Sequence, residues 1–394
     1  MPPILSVIIP THNRAHYAIP TIKSILALSL EIEVVVCDTS ELDLITPEFI
    51  NYEGLNERLV IVRPGRPLNG VENFNESLLS ATGSYLVFIG DDDFVSSNIV
   101  DVAKWASRES IDAIKFTFPV HYYWPDFIHR TRGVEYSGAL YVDCFTGKVT
   151  RYWPKKALAK ALRNFGGGVL EMPRAYAGMI SGELAKKIKL NYGALFGGVS
   201  PDIFSAALIS VESKKCVKID FPVIIPGASG ASTAGISANG KHVGGLRDNP
   251  HISAHVNLKW NEKVPEFYSV PTVWSYSLLK AVEAIGNGFG DINFPRLYIK
   301  CFIYHRKFAK FTLASLRSYV RSEGNFKVFF GLLMGFIAES WWIVRKLYDR
   351  LINRYTTRGL ESHGDLADTF AASLRLEKLI KESGVALVLN KDFQ

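Results

Sequence analysis

An α/β fold is what this 394-residue sequence predicts, with a mainly parallel sheet flanked by helices and an added α-helical C-terminal region. Three observations predict it. Over the first 120 residues, short apolar runs alternate with stretches of helical periodicity, the pattern of strand–helix–strand units whose crossovers force parallel pairing. Polar clusters follow three of those apolar runs, where strand ends open a ligand crevice in such sheets. Beyond about residue 256 the alternation gives way to long apolar and basic segments of helical character.

The elements follow in order. Leu5 to Ile9 is a short apolar run stopped by Pro10, as expected of a buried strand. Tyr17, Ile22, Ile25, Leu26 and Leu28 recur at helical spacing, and Ile32 to Cys37 is a second run, almost all β-branched. Leu59 to Val62 gives a third strand, Val71 to Ala81 a helix, and Tyr85 to Ile89 a fourth strand. Ser97 to Ser107 reads as a helix that Ser96 or Ser97 would cap, and Ile111 to Phe118 as a further strand. Residues 119–165 hold Tyr122, Tyr123, Trp124, Tyr141, Tyr152 and Trp153. These read chiefly as core and rim of an inserted hairpin, although aromatic faces also stack on sugar rings. Pro201 fits the first turn of a helix running to about Ser210. The glycine-rich stretch from Gly227 to Gly245 reads as a mobile loop.

The three strand-end clusters are Thr11-His12-Asn13-Arg14, Asp38-Thr39-Ser40 and Asp91-Asp92-Asp93, and a shared sheet brings them to one crevice. The triple aspartate is the most telling of them. No Lys or Arg occurs from Thr82 to Asp93, so the repulsion must be relieved by a cation, a proton or solvent. Hard oxygen donors suit Mg²⁺ or Mn²⁺, which in turn grip the phosphates of a nucleotide. An acidic strand-to-helix turn is the competing reading. No dinucleotide fingerprint follows the first strand, and Gly227 to Thr233 lacks the lysine of a phosphate loop.

Four pieces in order, Leu5 to Arg14, Glu33 to Ser40, Asn69 to Asn75 and Ala81 to Asp93, resemble the inverting glycosyltransferases of family 2, on the GT-A nucleotide-diphospho-sugar fold. The resemblance covers residues 1 to about 120, thins after that and fades beyond about 235. It implies a nucleotide-sugar donor, a UDP-sugar by preference, bound by Pro10, Thr11, Asn13, Arg14, Asp38, Asn75 and Asp91. It also implies Mn²⁺ or Mg²⁺ held by Asp92 and Asp93 at the family's D-x-D position, whose first aspartate here is Gly90. Cys37 stands where the family often has a second acid beside Asp38. Asp38 also reads as the cap of an Asx-turn, and Asn75 as a helix-surface amide. Asp202, after Gly197 and Gly198, matches the acid that opens the acceptor-side helix and serves as general base. It would alternatively favour only the helix N-terminus. Glu171 is the second candidate base, Asp126 and Asp220 read as structural, and His242 is a further candidate for the metal shell. The resemblance divides the chain into a catalytic domain, residues 1–255, and a C-terminal region, residues 256–394. Within the catalytic domain, residues 1–120 would bind the donor and 121–255 face the acceptor.

Residues 296–360 carry thirteen Lys and Arg against three acids, so this segment is more basic than the whole chain at +7. Val328 to Ala338 is an apolar run too short to span a bilayer, which takes about 20 residues. Followed by Glu339 and the pair Trp341-Trp342, it predicts a helix lying in a membrane surface. No nucleic-acid motif accompanies the basic residues. Four scattered cysteines, with Cys37 inside a strand, and an N-terminus entering the first strand directly predict no disulfide framework, signal peptide or anchor. The expectation is therefore a cytoplasmic enzyme, peripheral on the inner face of a membrane, that extends a saccharide or lipid-linked saccharide of a surface polysaccharide. Self-association through apolar C-terminal helices stays open. A nucleotidyltransferase making activated sugars and a non-catalytic, membrane-docked assembly protein are the alternatives. The first usually carries a Gly-rich, Arg/Lys-bearing loop after strand one, which Thr11 to Arg14 lacks.

Overall fold

The computed structural model describes residues 3–50, 58–238, 243–249, 252, 258–286, 291–355 and 361–390. Its centre is an eight-stranded sheet. The strands β1 (Leu5–Thr11), β2 (Ile32–Asp38), β3 (Leu59–Val62) and β4 (Tyr85–Phe88) pair in parallel, in the order β3-β2-β1-β4. Helices α1 (Ala15–Leu26), α2 (Thr46–Phe49) and α3 (Gly70–Leu79) fall between them. After the short β5 (Phe94–Val95) and α4 (Asn98–Arg108), the sheet continues through β10 (Met179–Ser181), β6 (Ala113–Phe116), β11 (Cys216–Ile219) and β9 (Val149–Tyr152). Of these only β10 and β9 run against the common direction.

Alternation along each strand makes the sheet two-faced. Ile8, Val35, Leu86 and Phe88 point into one core, shared with α5 (Pro154–Arg163), α6 (Gly182–Tyr192) and α7 (Pro201–Glu212). Val7, Ile9, Val34, Val36, Val87 and Ile89 point into the other, shared with α1 and α4. Burial on both faces explains why these strands read as unbroken apolar runs.

Local chemistry sets the helix starts unevenly. Asn69 and Glu72 form a reciprocal capping box at α3, and Pro201 opens α7. At α4 the expected side-chain cap from Ser96 or Ser97 is absent. Instead Glu377 reaches in from α13 (Thr369–Ser383) and accepts from the Ser97 N–H and hydroxyl, each at 2.7 Å. A carboxylate brought by the far end of the chain does the capping, which no local signal announces.

The inserted hairpin is β7 (Val120–Tyr123) with β8 (Ala139–Val142), in a second sheet whose edges are β13 (Gly227–Ala228) beside β7 and β14 (Glu361–His363) beside β8. Tyr122 and Trp124 are buried in it. Gly227 and Ala228 are β13, and Thr233–Ala238 is helix α8. The segment read as a mobile loop is therefore tied down over its first part, where β13 pairs with β7 and Gly227 packs so close to the Asp92 carbonyl that an added Cβ would collide with it. His242 lies outside the described residues.

The C-terminal region is mainly helical: α9 (Val270–Ile285), α10 (Phe294–Tyr304), α11 (Ala309–Glu323) and the 31-residue α12 (Asn325–Tyr355). Helix α9 packs on α7, and α10 on α12. The chain then returns: β14 (Glu361–His363) pairs with β8, and α13 lies against α1. The apolar run at Val328 is longer as a helix than its composition suggested. Asn325–Asp349 is long and apolar enough to cross a membrane by length and composition, and only 17% of its most apolar window is buried.

Candidate active site

Register places the three polar clusters side by side. Thr11 stands opposite Asp38 across β1 and β2, and Ile8 opposite Phe88 across β1 and β4. Continuing that register by three residues sets Thr11 level with Asp91, and the Thr11 hydroxyl donates to Asp91 Oδ2 at 2.6 Å. The loop after β1 is stapled to the loop after β2. His12 Nδ1 lies 2.9 Å from the Thr39 carbonyl, and Asn13 N–H donates to the Ser40 hydroxyl at 2.7 Å. Asn13 adopts a left-handed φ of 55°, which asparagine tolerates better than most residues. Asn73 holds the other side of this seam, donating to the Thr11 carbonyl at 3.2 Å.

All three aspartates are buried. What relieves them comes from elsewhere in the chain. Arg14 Nε lies 2.8 Å from Asp91 Oδ1, and Arg14 Nη2 lies 2.9 Å from Asp92 Oδ2. Nη2 also donates to the Ser229 hydroxyl at 3.0 Å, and the guanidinium stacks 4.7 Å above the Tyr17 ring. Ser229 donates twice to Asp92 Oδ2, from its N–H at 3.2 Å and its hydroxyl at 2.6 Å. The Asp92 carbonyl accepts from Trp124 Nε1 at 3.0 Å. Asp93 is held by dipoles rather than charge. Gly227 N–H donates to Oδ1 at 2.7 Å, while Gly90 N–H and the Tyr176 hydroxyl donate to Oδ2 at 2.8 and 3.0 Å. Burial, with the mutual repulsion of the carboxylates, pushes Asp91 and Asp93 well above the usual carboxylate range, and Arg14 opposes this at Asp91.

Of the six oxygens in the triplet, Asp92 Oδ1 is the one without a hydrogen bond or ion pair among the described residues. Among those residues no three acidic, imidazole or thiol groups converge as a ready-made cation site. The carboxylates nevertheless fit a hard divalent ion bound together with phosphate oxygens: Asp92 offers its unused oxygen, and Asp91 offers Oδ1 once Arg14 turns away.

The remaining predicted residues divide. Asp38 is buried at the end of β2, with Oδ2 on Arg63 Nη1 at 2.5 Å. Its Oδ1 accepts from Ser40 N–H at 2.9 Å, the Asx-turn foreseen as the alternative. Pro10 lies in β1 opposite Cys37. Asn75 is engaged by the backbone of Phe196. Its amide bridges α3 to the loop before α7, donating to Phe196 O at 2.9 Å and accepting from Phe196 N–H at 3.2 Å. Asp202 opens α7 with its side chain a quarter exposed, 3.7 Å from Arg174 Nη1. Burial raises its pKa, while Arg174 works against the rise. Arg174 sits two residues before Tyr176, so one short segment serves both Asp93 and Asp202. Glu171 is half exposed, 3.8 Å from Lys115. Asp220 binds Thr117 and Thr146, and Asp126 accepts from Tyr17, so both knit loops together.

Sequence reading did not reach Arg63, Arg174, Tyr176, Ser229 or the pairing of Arg14 with the triplet. Arg63 had a signal, since parallel pairing of β2 with β3 sets the residue after Val62 beside Asp38. The others come from distant segments. Beside Gly227 and Ala228 lies a cavity of about 310 Å³, walled by Tyr123, Phe127 and Tyr136 with His121 and His129. A wider one of about 650 Å³ lies beyond Tyr17 and Trp124, between α1 and the start of α13.

Residues 6–172 match the model of the family "Glycosyl transferase family 2". A search of curated proteins gave no match. Among solved structures the chain is similar to S. aureus TarS 1-349 in complex with UDP-GlcNAc, at 14% identity and a TM-score of 0.42, covering 84% of this chain and 79% of that one. It is also similar to the mannosyltransferase PcManGT from Pyrobaculum calidifontis in complex with GDP-Man and Mn²⁺. There the identity is 13% and the TM-score 0.40, covering 97% of this chain and 90% of that one.

Proposed function

We propose that this chain, whose residues 6–172 match the model of glycosyl transferase family 2, is a metal-dependent inverting glycosyltransferase. It moves a sugar from a nucleoside diphospho-sugar, with UDP-sugar preferred, to a hydroxyl of a saccharide or lipid-linked saccharide in surface polysaccharide synthesis. The observation that carries this reading is the buried triple aspartate at the strand ends, with the Arg14 and Asp38 loops stapled around it.

In this reading the loops after β1 and β2 take the nucleoside, with Asp38 fixed by Arg63 to accept from the base. Asp92 and Asp91 would hold Mn²⁺ or Mg²⁺, which would supply charge neutralisation for the departing diphosphate. Asp93 braces the turn, its two oxygens accepting from Gly227, Gly90 and Tyr176. Arg14 leaves Asp91 when the donor enters and is then free to face its phosphates.

Asp202 takes the proton of the acceptor hydroxyl as that oxygen bonds to the anomeric carbon. The bond from that carbon to the diphosphate breaks with its electron pair on the phosphate oxygen. A carboxylate raised by burial is the stronger base, and Arg174 keeps it ionised and oriented. The aromatic cavity beside Gly227 offers ring faces for a saccharide at the edge of the site.

Calorimetric titration of UDP, GDP and dTDP, each with and without Mn²⁺, tests the reading. Binding of one nucleotide that needs the metal and vanishes in Asp92→Ala is the expected result. Absence of binding by all three would leave the fold without this chemistry.

A further inference from the structure

Outside the proposed site, the outer face of α12 is an extended exposed surface without a use. This helix packs along α10 on one side, and the contact is built for closeness. Gly331 lies against Pro295, where an added Cβ would stand 2.8 Å from the ring, and Gly335 lies against Pro295 and Ile299. Between Lys327 and Arg345 the helix carries a single charged residue, Glu339. That residue is turned inward. It is 2% exposed, pairs with Arg296 Nη2 at 2.7 Å and accepts from the Tyr304 hydroxyl at 2.8 Å. Arg296 also donates to the Gly335 carbonyl at 3.1 Å.

These contacts fix the rotation of α12 and remove Glu339 from the outer surface. The face left outside is uncharged from Val328 to Val344, a length of about 25 Å at helical rise. Phe329, Phe330, Phe336, Ile337, Trp341 and Trp342 are 46–70% exposed along it. Cations stand at both ends, Lys327 at one and Arg345 and Lys346 at the other, with Lys346 lying 4.6 Å over the Trp342 ring. Exposed Lys310, Arg317 and Arg321 follow on α11, while Glu323 pairs with Lys327 and Asp349 is the other nearby acid.

We propose that this face docks the protein on an anionic lipid bilayer, α12 lying in the surface plane. Its aromatic and aliphatic side chains enter the boundary between headgroups and acyl chains, and its flanking cations meet lipid phosphates. Charge selects this occupant. A second copy would bring the same flanking cations together, whereas an anionic leaflet complements them. Crossing the bilayer is disfavoured, because α10 and the Arg296–Glu339 pair would enter the hydrocarbon with α12. The proposal goes beyond the transfer reaction and stands whether or not that reading holds.

The full chain is sedimented with vesicles of phosphatidylcholine alone and with vesicles containing about 30% phosphatidylglycerol. Expected is binding to the anionic vesicles only, weakened by added salt and lowered about tenfold in Arg345→Ser/Lys346→Ser. Trp341→Ser and Phe329→Ser, at exposed positions, should lower it similarly while leaving the far-ultraviolet circular dichroism unchanged. Equal binding to both vesicle types, or to neither, would overturn the proposal. So would a dimer in solution that Trp341→Ser dissociates. Nucleotide binding is measured on the same samples, so that failure to dock is told apart from failure of the donor site.

Discussion

At the scale of single residues, the triple aspartate is a charge problem whose solution lies across the sheet. Arg14 neutralises Asp91 and Asp92, so removing it leaves buried carboxylates without a compensating charge. Arg14→Met should lower unfolding stability by about 3 kcal/mol in the metal-free protein, and added Mn²⁺ should restore part of that in a denaturant titration. Asp92→Ala should abolish metal-dependent nucleotide binding by calorimetry. Asp202→Asn should keep that binding and lower turnover by about 10²–10⁴-fold. Equal loss of donor binding in both variants would refute this division of roles. Because Arg174 opposes the upward push of burial on Asp202, Arg174→Met should move the acid limb of the kcat/KM profile to higher pH. A base raised in this way loses activity as pH falls through its pKa, so losing its cation narrows the active range from the acid side.

At the scale of elements, the strands and helices of the first 120 residues, apart from the short α2 and β5, were legible because burial on both faces writes itself as apolar runs, and helices as 3.6-residue periodicity. The cap of α4 was not, since Glu377 comes from α13. Nor was the role of Asn75. Its amide clamps α3 to the loop before α7 through Phe196, which spacing along α3 does not disclose. Asn75→Ala should cost about 2 kcal/mol of stability, from broken partly buried hydrogen bonds. Calorimetric nucleotide affinity should stay near that of the unchanged protein. A large loss of affinity at unchanged stability would return Asn75 to the diphosphate.

At the scale of the whole molecule, the C-terminal helices are joined to the sheet domain by buried polar contacts. Lys300 on α10 donates to the Asn164 side chain at 2.6 Å, and burial lowers its pKa from 10.5 to about 8. Folded protein therefore releases this proton near pH 8, while the unfolded chain keeps it to higher pH, so stability rises with pH across that window. Relative to Lys300→Met, the protein should gain about 3 kcal/mol between pH 8 and 10.5, read from paired denaturant titrations. The other long-range tie is the return of the chain. Thr369 meets Thr21 at 2.9 Å, and β14 completes the second sheet. Ending the chain at residue 360 should uncover α1 and lower the melting temperature by several degrees.

The sequence by itself determined the parallel sheet, the position of the polar clusters at its strand ends and the basic, apolar character of the C-terminal region. Each of these is a local pattern of residue type repeated at the period of its element. Only the tertiary structure decided which charges meet. It set Arg14 on the aspartates, Arg63 on Asp38, Ser229 on Asp92, and Glu339 inward on Arg296. Such pairings join segments up to 137 residues apart in the chain. They follow from how elements pack, which no periodicity within one element records.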